Sequence, residues 1–400
     1  MNKELKVKLG VFRNDRRAFY SFIILASLFF LTLPAEMLCN VRPLIIVVDG
    51  KPYFPIAVTY SQKDFGGSLP SEPDYKSKFF TNLLSGTSDS ITSNEEANGL
   101  ALDLGDFEDE EDSFEIPSQP LSTNIEISPR DFWMLWPPVR YDYKYIPTES
   151  VTGNVVLAAP YETESPIGEG FIESSWNDGH YLGTDDRGRD VLARLIYGFR
   201  ISMLFGVSLA ITGTLVGCLI GGTQGFFGGW VDLAGQRLTE IWGSIPRLYI
   251  LIILSSFLVP SALLLFLILN LTAWMGIAAY IRAEFLKIRN YEFVKAAKSL
   301  GVSNFKIMRR HILPNALTPV LTFFPFEVTA GILALVSLDF LNLGVPSPAP
   351  SLGELLAQGK NNLHAIWILL PTFVTLSLTI TLLTFVGEGI RNAFDPRKTL

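Results

Sequence analysis

The chain has 400 residues, of which 48% are hydrophobic and 18% charged, with a formal net charge of −7. The hydrophobic residues cluster into long runs, which favours a membrane protein over a soluble enzyme. Cys39 and Cys218 lie far apart, and the three histidines lack ligand spacing. We therefore expect no disulfide framework, no metal site and no bound cofactor.

The N-terminal segment, residues 1–17, carries six lysines and arginines, and an uncharged run from Ala18 to Ala35 follows it. That run is about the minimum length for crossing a bilayer. A secretory signal peptide is the alternative, but Leu33-Pro34-Ala35-Glu36 provides no small-x-small cleavage site. We expect a cytoplasmic basic N-terminus followed by an uncleaved first transmembrane helix over residues 18–38.

A long polar insert over residues 39–198 follows the first span. Two apolar stretches, Leu44–Asp49 and Tyr53–Tyr60, are typical of short strands. Ten acidic residues between Glu95 and Glu115 lack the spacing of a calcium loop, which favours a solvated loop. The aromatic stretch Phe132–Tyr145 could cover a neighbouring domain or bind a sugar or peptide. The insert is predicted to be a small α+β or mostly β extracytoplasmic domain.

Five further apolar runs give six predicted transmembrane helices, an all-α polytopic bundle. They cover residues 201–225, 241–259, 261–281, 316–338 and 366–387, within a five-helix core over residues 199–390 and before a cytoplasmic tail, 391–400. The first of these runs carries glycines at four-residue steps, Gly213, Gly217, Gly221 and Gly225. A ridge of glycines predicts a tight helix–helix seam in the membrane.

The orientation follows from the lysines and arginines in the connections between spans. The segments that would be cytoplasmic contain eighteen of them, whereas the short outer connection over residues 339–365 contains only Lys360. This asymmetry places both termini in the cytoplasm and the insert outside. Two charged residues inside the spans, Arg247 and Glu327, are candidates for a translocation path. Alternatively, Arg247 lies near the end of its span and extends to the lipid headgroups.

The most basic cytoplasmic connection is the predicted coupling loop, residues 288–315. Phe293, Ala296, Ala297 and Leu300 recur with helical spacing, and Gly301 stands where a helix would end. A second short helix is predicted from Ser303 or Asn304, with Phe305, Met308 and Ile312 on one side and Lys306, Arg309 and Arg310 on the other. Pro314 is expected to stop or kink that helix. An ordinary loop retained inside by its charges is the alternative.

The string AAKSLG, followed after nine residues by HILPN, resembles the EAA loop of ABC-importer permease subunits. Lys295 departs from the motif, because an acidic residue is expected there. The stretch LGTDDRGRDVLARLIYGFR, residues 182–200, is similar to the dipeptide/oligopeptide branch, as are LDFLNLGVP, PSLGELLAQG and DPRK further along. Phrases such as EIWGSIPRLYILII resemble, within that branch, permeases of the microcin-C-type peptide importer.

The resemblance implies that the coupling loop docks on a separate ATPase subunit. The docking residues it implies are Glu292, Ala296, Ala297, Gly301, Lys306, Arg309, Arg310 and Pro314. It also implies an extracytoplasmic substrate-binding protein and a peptide substrate. Because six spans are too few to enclose a wide polar path, a second, homologous permease subunit is expected. The protein is predicted to lie in the lipid of the inner membrane and to bind no nucleic acid.

The sequence contains no GxxxxGK[ST] phosphate-binding loop, no HExxH and no GxSxG. Energy for transport would therefore arrive from another polypeptide, and we expect a transport subunit that is not itself an enzyme. Two alternatives remain open. One is a membrane-anchored sensor or assembly protein that works through the insert, and the other is an ion-coupled secondary transporter that uses Glu327.

Overall fold

The computed structural model describes residues 3–67, 69–86, 130–147, 155–164, 171–258 and 261–394. The chain divides into two compact units. A helical unit comprises Met1–Cys39 and Tyr141–Leu400, and a smaller unit comprises Asn40–Arg140. Residues 141–198 of the predicted insert thus belong to the helical unit. The acidic tract Glu95–Glu115 lies outside the described residues.

The helical unit begins with three helices and continues with both long and short helices. The first three are α1 (Lys3–Asn14), α2 (Arg16–Thr32) and α3 (Ala35–Leu38). After a two-stranded ladder of β4 (Thr163–Glu164) and β5 (Phe171–Ile172) come α5 (Val191–Phe227), α6 (Gly229–Gly243), α7 (Arg247–Phe257) and α8 (Ala262–Ile288). The last are α9 (Glu292–Ser299), α10 (Asn304–Ile307), α11 (Leu313–Phe340), α12 (Leu352–Asn361) and α13 (Ile366–Phe394).

Four helices in the described part of the chain are long and apolar enough to span a membrane. They are α5, α8, the continuous helix Asn304–Phe340 and α13. The first predicted span corresponds to α2, which has 17 residues. The third, over residues 241–259, is interrupted between α6 and α7, leaving α7 with 11 residues. Pro246 accounts for the break, because proline lacks an N–H and disfavours helical angles at the preceding residue.

Helix α5 packs along α8 and against α11, and the predicted glycine seam forms the first of these contacts. All four glycines of the ridge are buried. A Cβ added to Gly213 would lie 3.2 Å from Ala273 atoms, and one added to Gly217 would lie 2.9 Å from Trp274 O. Real Cβ atoms rarely approach backbone this closely, so only glycine permits the contact. The predicted tight seam is confirmed.

The helical unit contains separate apolar clusters. One joins α2, α5, α11 and α13 around Met203, Ile332 and Leu383. A second joins α8 and α11 to the coupling loop, through Phe285, Ala297 and Ile312. The coupling loop therefore shares a core with two of the long helices instead of lying loosely between them.

The smaller unit contains a three-stranded antiparallel sheet and the short helix α4 (Lys78–Ser85). In the sheet, β1 (Ile45–Val48) lies between β2 (Lys51–Tyr53) and β3 (Phe132–Leu135). The first predicted strand is confirmed. The second, predicted over Tyr53–Tyr60, is wrong, because the chain turns after Tyr53, where β2 ends. The other neighbour of β1 is β3, which comes from the aromatic stretch.

Candidate functional site

The predicted coupling loop opens with α9 and turns at Gly301. Helix α9 ends where the N–H of Gly301 donates to Lys298 O (3.1 Å) and the N–H of Val302 donates to Ala297 O (3.2 Å). This bond pattern closes a helix through a residue with left-handed angles, and Gly301 has φ +76°. A Cβ there would meet no atom within 4 Å. The backbone angle therefore favours glycine, and the space around it stays open.

The side chains of α9 divide into a buried and an exposed face. Val294 and Ala297 are buried in the cluster shared with α8 and α11. Phe293 and Ala296 are exposed, and Leu300 is 83% exposed. Of the predicted apolar face, only Ala297 is covered by the chain itself, and the rest faces outward.

The second half of the coupling loop differs from the predicted separate helix. The four residues of α10 continue through a π-helical turn, Met308–Ile312, directly into α11. Within this turn the N–H of Leu313 donates to Met308 O, five residues back. The π turn immediately precedes Pro314, which has no N–H to donate to Arg310 O in an α-helical pattern. The helix therefore passes the proline without stopping.

Most of the exposed side chains of this segment are apolar or basic. We call eight exposed residues the coupling surface: Phe293, Ala296, Leu300, Gly301, Phe305, Lys306, Arg309 and Arg310. Phe305 is 71% exposed, and with Pro314 it borders a groove of about 490 Å³ between Lys306, Arg309 and Arg310. Residues 291–315 contain five basic residues and one acidic residue, Glu292. Seven of the eight predicted docking residues are exposed, and Ala297 is buried.

Two arginines, Arg282 in α8 and Arg289 directly after it, hold the neighbouring helix ends just before the coupling surface. Arg289 Nη1 donates to the carbonyl oxygens of Gly225 (3.2 Å) and Phe226 (3.4 Å), in the last turn of α5, where carbonyls lack helical partners. Arg282 donates from Nη2 to Asp232 Oδ2 of α6 (2.8 Å), and from Nε to Oδ1. This hydrogen bond lowers the pKa of Asp232. One ion pair and the hydrogen bonds of Arg289 to backbone carbonyls thus connect α5, α6 and the end of α8.

At the opposite end of the helices lies a buried network of two arginines and two carboxylates. Arg189 donates from Nε to Asp185 Oδ2 (2.8 Å) and from Nη2 to Glu354 Oε1 (3.2 Å). Arg194 Nη2 donates to Glu354 Oε2 (2.5 Å). Both arginine side chains are almost fully buried, and Glu354 is 15% exposed. The network connects the start of α5 to α12, about 160 residues away in the chain.

From the sequence alone, this stretch indicated only a family resemblance, and its structural role was not predicted. Six of the ten residues from Asp185 to Arg194 are charged, directly before an uncharged span. Acidic and basic residues that alternate at the edge of a membrane helix could have indicated a buried network. The partner, Glu354, could not have been identified from local sequence.

The comparisons with known proteins agree along nearly the whole chain. The family described as binding-protein-dependent transport system inner membrane component matches residues 213–400. The chain is 42% identical over 394 residues to the peptidoglycan transport system permease protein YejE of Agrobacterium fabrum, covering 97% of this chain and 92% of that protein. This chain belongs to the family of binding-protein-dependent transport permeases.

Two further relatives support the assignment. The permease is 38% identical over 389 residues to the inner membrane ABC transporter permease protein YejE of Escherichia coli K12, covering 97% of this chain and 96% of that protein. It is 39% identical over 220 residues to the oligopeptide transport system permease protein OppC of the same organism, covering 55% of this chain and 73% of that protein. Family membership selects the permease hypothesis over the sensor and the ion-coupled transporter.

The two candidates for the permease's translocation path lie on different helices. Arg247 is the first residue of α7, and Glu327 lies in the middle of α11. Both helices contact α8. Glu327 is half-buried and points toward α8, because a Cβ added to Gly276 would lie 3.9 Å from its Oε1 atom. A role for either residue in transport stays a prediction.

Proposed function

We propose that this permease is a membrane subunit of an ABC importer that moves peptides into the cell, driven by a separate ATPase that docks on the coupling surface. The observation that carries the proposal is the coupling surface itself. It exposes Leu300 and Phe305 beside three basic side chains, while the buried residues of the same coupling loop share a core with α8 and α11. Large exposed apolar side chains with a polar rim are typical of protein-binding surfaces. The peptide substrate is supported by relatives named as peptidoglycan, dipeptide and oligopeptide transport permeases.

The proposed topology has six spans in the inner membrane, with both termini in the cytoplasm and the insert outside. The asymmetry of basic residues supports it, because they are concentrated in the connections assigned to the cytoplasm. In this arrangement α2 is the first span, and α6 and α7 together occupy the place of the third. The coupling surface then lies where ATP is available, and an extracytoplasmic binding protein would deliver the peptide at the other side.

The proposed mechanism is a rigid-body movement. When the ATPase closes on ATP, the coupling loop would follow it, and α8 and α11 would move with the loop because the three share one apolar cluster. Arg282 and Arg289 would transfer the movement to α5 and α6. Interiors are close-packed and transmit displacement instead of absorbing it.

A second permease subunit is proposed to complete the path. Helix α6 buries none of its residues within the described chain and exposes Trp230, Leu238 and Ile241. Lipid and a partner helix would both suit that face. The six proposed spans are too few to enclose a wide polar path on their own, which supports a partner of related fold.

The test is a pair of substitutions on the coupling surface, Leu300→Glu and Phe305→Glu, in the complete transporter. We expect each to abolish co-purification of the ATPase and to reduce peptide uptake at least tenfold, because a carboxylate replaces an apolar contact. The matched control is Leu363→Glu, an equally exposed leucine between α12 and α13. Ala297 is unsuitable for this test, because it is buried and a larger side chain would disturb the permease's own core.

An unchanged ATPase yield with both variants would contradict the proposed docking site. Equal loss in the Leu363→Glu control would indicate a general effect of exposed charge on assembly. Purification in mild detergent also tests the wider proposal, since the co-purified chains must include one with a phosphate-binding loop.

A further inference from the structure

Glu327 lies near the midpoint of α11, 14 residues from Leu313 and 13 from Phe340. At 1.5 Å per residue, the carboxylate is about 20 Å along the helix from either end. Gly276 lies near the midpoint of α8 in the same way. A carboxylate at this depth of a membrane protein is costly and therefore marks a functional position.

The two helices run antiparallel and place a small gap beside this carboxylate. Among the described residues outside its own helix turn, only Glu327, through Oε1, would lie within 4 Å of a Cβ at Gly276. Gly276 and Ala279 are both exposed, so the gap opens to the outside of the chain. The absence of a side chain at Gly276 leaves room beside Glu327 for a group from another molecule.

An aromatic pair closes the side of the gap that faces the coupling surface. Tyr280 of α8 and Phe323 of α11 stack with centroids 4.4 Å apart and planes at 21°. Tyr280 follows Gly276 by four residues and Phe323 precedes Glu327 by four, so each ring lies one helical turn from the gap. Glu327 supplies the charge in this gap, and a carboxylate binds a cationic donor through short, charge-assisted hydrogen bonds.

We propose that the gap formed by Glu327, Gly276 and the Tyr280–Phe323 pair is a binding site for a primary ammonium group of the transported peptide, at its N-terminus or on a lysine. This inference rests on the proposed function for the identity of the substrate. The carboxylate accepts hydrogen bonds from the ammonium, and the ring pair borders the gap on the side of the coupling surface. A peptide carboxylate would be repelled, so the site orients the peptide with its cationic end toward Glu327.

The first experiment measures whether the gap accepts cations from water. Gly276→Cys is introduced into the full transporter in membrane vesicles, after Cys39 and Cys218 have been replaced by alanine. The rate of modification by a cationic methanethiosulfonate and the rate by an anionic one are measured. Each rate is divided by the rate at which the same reagent reacts with a free thiol in solution, which corrects for the reagent's own reactivity. We expect the cationic reagent to be favoured, and Glu327→Gln to lower the cation-to-anion ratio at least tenfold.

Two further positions serve as controls. Ala279→Cys, on the same exposed face, replaces Gly276→Cys if that variant does not assemble. Ala283→Cys lies seven residues beyond Gly276, about 10 Å further along α8 and past the ring pair. Its ratio should change less than threefold with Glu327→Gln. An unchanged ratio at Gly276→Cys, or no reaction of either reagent at both Gly276→Cys and Ala279→Cys, would overturn the site.

The second experiment links the site to the substrate. Cells carrying the transporter and no other peptide permease receive a tryptic peptide mixture, half of it acetylated at its amino groups, and uptake is measured by mass spectrometry. We expect Glu327→Gln to reduce the preference for free amines at least fivefold, with the binding protein unchanged. A proportional loss of both forms would overturn the inference. No uptake of either form by the wild type would refute the peptide substrate, and the ammonium site with it.

Discussion

Removing Glu354 from the buried network should be among the most destabilising single changes in the permease. Glu354 accepts from Arg189 at 3.2 Å and from Arg194 at 2.5 Å, and both guanidinium groups are almost fully buried. With Glu354→Gln, two buried cations share one carboxylate, Asp185. Breaking a buried pair on one side costs about 3–5 kcal/mol, because the remaining charge is left without its partner.

The measurement is the melting temperature of the purified permease in detergent. A loss of about 3–5 kcal/mol corresponds to a decrease of roughly 6–20 °C at the ~2–4 °C per kcal/mol of medium-sized domains. Glu240→Gln is the matched control, because the Arg237–Glu240 pair has the same chemistry with side chains 70% and 57% exposed. Exposed pairs contribute about 0–1 kcal/mol. Equal decreases for the two variants would refute the claim that the network is a stabilising element.

The remaining predictions concern the glycine seam, the Arg282–Asp232 ion pair and the transmission of movement through the Glu354 network. Gly217→Leu should greatly reduce the yield of monodisperse permease by size-exclusion chromatography, whereas Gly10→Leu, with open space around it, should not. The lowered pKa of Asp232 means that its pair with Arg282 contributes fully above about pH 4 and is lost as the pH falls through the lowered value. Melting temperatures between about pH 5 and 3 should therefore decrease more steeply in the wild type than in Arg282→Gln, and equal slopes would contradict the pair. At permissive temperature, Glu354→Gln should lower uptake more than ATP hydrolysis, and a parallel loss would argue against transmission through the network.

Local periodicity predicted the parts of the fold that depend on near neighbours. The glycines from Gly213 to Gly225 repeat every four residues, which fixes them on one helix face whatever the partner is. The end of α9 at Gly301 was predictable for the same reason, because a Schellman turn involves only the residues around it. In each case the physical requirement is contained within about two turns of chain.

Pairing between distant segments could not be predicted in this way. The stretch after Tyr53 has strand-like composition, but β1 pairs on its other side with Phe132–Leu135, far along the chain. The network shows the same limit, because Arg194 and Glu354 are 160 residues apart. At Pro314, the local rule predicted a stop or a kink, and a π turn before the proline keeps the helix continuous. A proline removes one hydrogen bond, and tertiary packing decides how the helix adapts.

In the proposed mechanism these features act one after another. The coupling loop shares its apolar core with α8, and the glycine seam brings α5 close to the backbone of α8. At its far end α5 is bound to α12 through Arg194 and Glu354. A displacement of the coupling loop would therefore be transmitted toward Glu354 through close-packed and ionic contacts, and the proposed ammonium site lies beside this route, on the faces of α8 and α11.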